Sequence, residues 1–197
     1  MEYRLNKEKL LEELTVWNGM LKRRVRLIAC GGTALTLLGI KPSTKDIDLI
    51  VPEPREHDYL TKLLKDLGYK PVTGAGLSRD GIFIFDLFRG NYVHTTELID
   101  PVLDEGNNIP AKEFSYLYLG ILNYYDILIS KLFRSTGVDV DDCLLLFKAK
   151  HGEIDADKFI GRFHETASFD VAERSLLKNL EYFLAVLKKE GLYRERK

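Results

Sequence analysis

Apolar and polar positions alternate along this chain with two different periods, and the period changes near the middle. From Leu5 to Met20 apolar residues recur at helical spacing, with Leu10, Leu11, Leu14, Trp17 and Leu21 on one stripe. Val25–Cys30 is a short apolar run ending in Gly31-Gly32, which predicts a strand running into a turn. Thr33–Leu38 predicts a short helix stopped near Gly39, followed by a loop at Lys41–Lys45. Asp46–Val51 predicts a buried strand. Pro54–Leu67 returns to helical spacing, with Gly68 as its C-cap. Tyr69–Val72 is a short strand, and Gly81–Phe88 is a strongly β-prone run. Residues 91–115 mix turn signals with short apolar pieces, and Phe114–Leu122 suits a strand. Beyond it the period is helical throughout, with helices expected up to Phe133, from Asp139 into Phe147, over about 157–166 and over 171–189. The organisation predicted is a strand-rich α/β region at 1–122 and a helical region at 123–197.

The chemistry concentrates between Gly31 and Leu49. Gly31-Gly32-Thr33 exposes backbone N–H groups where a strand turns into a helix, which suits a phosphate. Asp46 and Asp48 stand at i and i+2, on one face of a strand, and two carboxylates so placed can share metal ions. Each signal alone is common; their joint spacing across a short helix and loop is more specific, and points to a site for a metal-bound nucleoside triphosphate. Asp86 interrupts the Ile-Phe-Ile-Phe-Asp-Leu-Phe run, where an unpaired charge is costly to bury. It is the candidate third metal ligand, against the alternative of an edge-strand Asp facing solvent. Asp80, beside Gly81 in an expected turn, is the weaker rival.

Composition narrows the classes. Of 197 residues, 45% are apolar and 30% charged, as in globular proteins, and the net charge of -1 argues against binding long nucleic acid by bulk electrostatics. The basic runs at 22–26 and 194–197 read as solvated helix ends. Cys30 and Cys143 lie in apolar runs with no Cys/His spacing for zinc. The start, Met1-Glu2-Tyr3-Arg4, has no apolar signal core, and no run is long enough to span a membrane, so a cytoplasmic protein without a membrane partner is expected.

The glycine pair, the acid-hydrophobic-acid strand and the later acid together resemble the nucleotidyltransferase superfamily of DNA polymerase β. The runs Gly31-Gly32-Thr33-Ala34-Leu35 and Thr44-Lys45-Asp46-Ile47-Asp48-Leu49 are most similar to its small prokaryotic members, the AbiEii-type toxins and minimal nucleotidyltransferases. The resemblance implies a small mixed sheet flanked by helices, followed by the helical region. It implies Mg2+ (or Mn2+) held by Asp46, Asp48 and Asp86 as catalytic residues, with a nucleoside triphosphate held by Gly31, Gly32, Thr33, Lys45 and Lys131. It implies transfer of a nucleoside monophosphate to a hydroxyl of a protein, a tRNA or a small molecule, in a toxin or antitoxin with a protein partner or otherwise. The alternative is a nucleotide-binding regulatory module without turnover. A second acidic motif would be Asp139 and Asp142; Asp139 reads equally as a helix N-cap with Asp142 at N3, and Lys131 without the resemblance is a surface lysine. Where relatives often carry Arg, this chain offers only Lys41 and Lys45, and Val138 stands where a basic residue is expected.

Overall fold

A computed structural model describes residues 4–72 and 74–194; the first three residues and 195–197, including most of the basic tail, lie outside the described residues. The chain divides into two units, residues 1–123 and 124–197.

The first unit opens with helix α1 (Lys7–Met20), capped by the Asn6 side chain, which accepts from Lys9 N. Its buried stripe is Leu10, Leu14 and Trp17. Then follow β1 (Val25–Ala29), α2 (Gly31–Leu37), β2 (Ile47–Val51), α3 (Pro54–Asp66), β3 (Lys70–Pro71), β4 (Gly76–Ser78) and β5 (Phe85–Arg89). A two-stranded hairpin of β6 (Tyr92–Val93) and β7 (Thr96–Glu97) comes next, then β8 (Asn108–Glu113) and β9 (Leu117–Leu122). Seven strands form one mixed sheet in the order β3-β4-β5-β2-β1-β9-β8. β2 runs antiparallel to β1 but parallel to β5, and β1 runs parallel to β9.

The central strands are covered on both faces, which is why β1 and β2 read as continuous apolar runs rather than alternations. Helix α2 packs on β2 and β9, and α3 on β1, β2 and β5. Trp17, Tyr69 and Phe85 form one aromatic cluster, in which the Trp17 indole N–H donates to the Tyr69 hydroxyl at 3.1 Å. The basic run at 22–26 is partly used within the unit: Arg24 pairs with Glu113 and Arg26 makes a close pair with Glu56.

Several elements differ from the sequence reading. The helix after β1 begins at Gly31, so the glycines form its first turn rather than a turn before it. Only the second half of the 81–88 run is strand; Asp80 Oδ1 accepts from the backbone N–H groups of Ile82 and Phe83, an Asx turn that satisfies this carboxylate locally. β4, β8 and the β6–β7 hairpin lie in stretches to which the sequence reading assigns no strand.

The second unit is helical: α4 (Tyr124–Arg134), α5 (Gly137–Ala149), α6 (Ala156–Ser168) and α7 (Glu173–Lys189). Rings of Phe133, Phe163, Phe159, Phe183 and Phe147 meet edge to face through its core. Arg162 forks onto both oxygens of the buried Asp126 at 2.7 and 2.9 Å. Among the described residues no helix is long and apolar enough to cross a membrane.

Candidate active site

The first unit pairs two of the three candidate aspartates across neighbouring strands, with the third on the bend that leads into them. In the parallel pairing of β2 with β5, Asp48 is the register partner of Asp86, so both side chains leave the same face of the sheet on neighbouring strands, about 4.8 Å apart. Ile47 and Leu49 alternate with Asp48 and are wholly buried on the other face. Arg89, two steps beyond Leu87 on β5, reaches Asp58 of α3 at 3.0 Å, which puts α3 on the face opposite Asp86. Asp46 sits on the bend immediately before β2. Burial, and secondarily the negative charge of Asp46, push the Asp86 carboxyl above the ordinary carboxylate range.

The loop and helix before β2 hold this arrangement. Thr33 is wholly buried, and its hydroxyl accepts from Asp48 N at 2.9 Å while donating to the Asp46 carbonyl at 3.3 Å. The Thr44 hydroxyl donates to the same carbonyl at 2.9 Å. Cys30 N donates to the Asp48 carbonyl at 3.1 Å. Both cysteines are buried free thiols. Gly31 adopts φ +55°, and a Cβ there would stand 2.3 Å from Asp48 Oδ2, so only glycine lets the acid occupy its place. A Cβ on Gly32 would stand 2.8 Å from the Thr44 hydroxyl. Replacing Thr33 by Val should therefore strand the buried Asp48 N–H, costing about 1–3 kcal/mol in urea unfolding. It should also weaken Mn2+ binding, although no carboxylate is touched.

His94 has no role assigned from the sequence, yet its ring lies beside these acids. It occupies the turn of the β6–β7 hairpin at φ +52°, a conformation uncommon for side-chain-bearing residues. It packs edge to face on Phe88 at 4.6 Å, and its Nε2 lies 3.8 Å from Asp48 Oδ1. Lys45 is exposed beside Asp46.

The donor set suits a hard divalent cation: carboxylate oxygens on adjacent strands, with one acid raised above its normal range by burial and then by the charge of Asp46. Among the described residues no group of three or more acidic, His or Cys side chains is set to hold a metal ion.

Lys131, Asp139 and Asp142 lie in the second unit and form a separate cluster. Lys131, 3% exposed, places its ammonium 2.7 Å from Asp142 Oδ2 and 3.3 Å from Asp139 Oδ1. Arg134 reaches Asp139 at 2.6 Å. Asp139 is not the N-cap of α5; Thr136 is, and its side chain accepts from Asp139 N. Burial alone would raise Asp139, but hydrogen bonds from Thr136 and Arg134 and the charge of Lys131 outweigh it and hold the carboxyl below its ordinary value. A depressed carboxyl contributes stability above its unfolded pKa of about 3.9, lost as pH falls through the folded value. Asp139→Asn should flatten that acid-side loss in pH-dependent unfolding.

The chain matches no protein-family model and no curated protein. Solved structures do resemble it. The lincosamide antibiotic adenylyltransferase LnuA, bound to lincomycin, superposes with a TM-score of 0.51 at 16% identity, covering 73% of this chain and 98% of that one. ANT(2")-Ia in complex with adenylyl-2"-tobramycin gives 0.56 at 14% identity, covering 81% and 96%. The solution structure of the antibiotic-resistance factor ANT(2'')-Ia gives 0.55 at 15%, covering 88% and 94%. At these identities the likeness establishes the fold: a mixed sheet flanked by helices, in the arrangement seen in nucleotidyltransferases.

Proposed function

We propose that this protein is a metal-dependent nucleotidyltransferase that moves a nucleoside monophosphate from a nucleoside triphosphate to a hydroxyl. The observation that carries this reading is the Asp48–Asp86 register pair beside Gly31, in a fold shared with adenylyltransferases. Asp46, Asp48 and Asp86 would hold Mg2+ or Mn2+. Bound there, a divalent cation offsets the charge of the triphosphate and orients the attacking oxygen. The main-chain N–H groups of Gly31, Gly32 and Thr33 take the β- and γ-phosphates, and Lys45 adds a nearby positive charge. Asp86 would, beside the cation, assist the loss of the acceptor hydroxyl's proton.

The GGTAL and TKDIDL runs support the AbiEii-like branch and, with it, a place in a toxin–antitoxin pair acting on a protein or tRNA. The neighbours named for lincomycin and tobramycin support a small-molecule acceptor instead. Lys131 is engaged by two carboxylates within the helical unit, so its role is to join α4 to α5. The second reading is a nucleotide-binding module without turnover. Incubating the protein with each α-32P-labelled triphosphate, Mg2+ and a cell lysate separates the two. Label transferred to any acceptor, with pyrophosphate released, supports the enzyme; tight triphosphate binding with no label transferred supports the module.

A further inference from the structure

The β6–β7 hairpin is a short arm with an imidazole at its tip. Val93 and Thr96 pair across it, and both are buried, so its base is seated in the first unit. The Asn91 side chain closes the segment: its amide donates to the carbonyls of Leu98 and Asp100 at 2.6 and 2.8 Å, and its oxygen accepts from Val102 N at 3.1 Å. His94 and Thr95 are the two tip residues, and a positive φ at the first tip position is ordinarily met by glycine. A histidine held there at φ +52° points to a use for its side chain. The ring stands on the acid-bearing face of the sheet, because it packs on Phe88, which shares a face of β5 with Asp86.

Two donors that share one ion, each about 2.1 Å from it, stand about 3–4 Å apart according to the angle between them. His94 Nε2 and Asp48 Oδ1 are 3.8 Å apart, and Asp86 is the register partner of Asp48 on the next strand. We infer that His94 is a ligand of the divalent cation, adding one nitrogen to the carboxylate oxygens, and that it raises the site's affinity for Co2+ and Zn2+ relative to Mg2+. This rests on the metal-dependent nucleotidyltransferase reading above. Carboxylate oxygens suit Mg2+, whereas an imidazole nitrogen adds affinity for the later divalent metals and little for Mg2+. The rival role for the ring is a charge partner of Asp48 that touches no metal, and that role moves every divalent cation alike.

The test uses the full chain with Zn2+, Co2+ and Mg2+ as probes. In wild-type protein carrying 15N-labelled histidine, Zn2+ should move the ring resonances of His94 and leave those of His57, His151 and His164 in place. His94→Gly removes the ring and puts at the tip the residue that the turn prefers. By calorimetry it should weaken Co2+ binding at least about tenfold and Mg2+ binding less than about threefold. Equal losses for the two metals, or a His94 ring that does not respond to Zn2+, overturns the assignment, and the second of these readouts needs no variant. Asp48→Asn separates this result from the reading beneath it. If all three ions bind Asp48→Asn as they bind the wild type, the acids are not a metal site and the nucleotidyltransferase reading fails with them. If the ions need Asp48 but not His94, only the role of His94 fails.

Discussion

Asp48→Asn is expected to cut transfer by at least about 1,000-fold while leaving the metal-free protein as stable as the wild type or slightly more so. The two halves of that result come from one geometry. Asp48 and Asp86 are register partners, with Asp46 close enough to raise Asp86 further by its charge. Without a cation, these like charges repel, and removing one relieves the others. In the proposed role as a ligand of a hard metal, the same carboxylate has only a poor substitute in an amide. Mn2+ should therefore raise the melting temperature of the wild type, by linkage, and fail to raise that of Asp48→Asn. Asp86→Asn should behave alike. Wild-type turnover in Asp48→Asn, or an unaltered thermal response to Mn2+, would remove the acids from the chemistry.

Lys131→Met should destabilise the protein by about 3–5 kcal/mol in urea unfolding, because it leaves two buried carboxylates without their shared cation. Asp139 and Asp142 are 4% and 3% exposed, so water cannot replace the lost ammonium. Arg134 still reaches Asp139, which places the larger penalty on Asp142. Adding Asp142→Asn to Lys131→Met should recover part of the loss, with a coupling that a double-mutant cycle reads directly. A lysine serving only a phosphate gives a different pattern: stability unchanged and triphosphate binding weakened. That pattern would return Lys131 to the nucleotide site.

The glycine pair and the acid strand were legible because each depends on local rules: a positive φ, an alternation of two, an apolar flank. Asp86 was legible for a different reason, being the one charge in an apolar run. Its placement on the same face as Asp48 depends on register between strands 38 residues apart in the chain, which one sequence does not reveal. β8 was missed because Asn-Ile-Pro-Ala-Lys-Glu is polar and mostly exposed, and it is strand only through its pairing with β9. His94 gave no signal, since its closeness to Asp48 requires the hairpin turn. The Thr136 cap left a trace, a Thr three residues before an Asp, and the acid drew attention away from it.

The empty space at Gly31 has a consequence for recognising proteins of this kind. A single methyl group there would force the Asp48 carboxylate to move. On the proposed reading, a chain could keep all three acids and lose activity through one alanine. Counting carboxylates is thus an insufficient fingerprint; the atom that must be missing is as diagnostic as the oxygens that must be present.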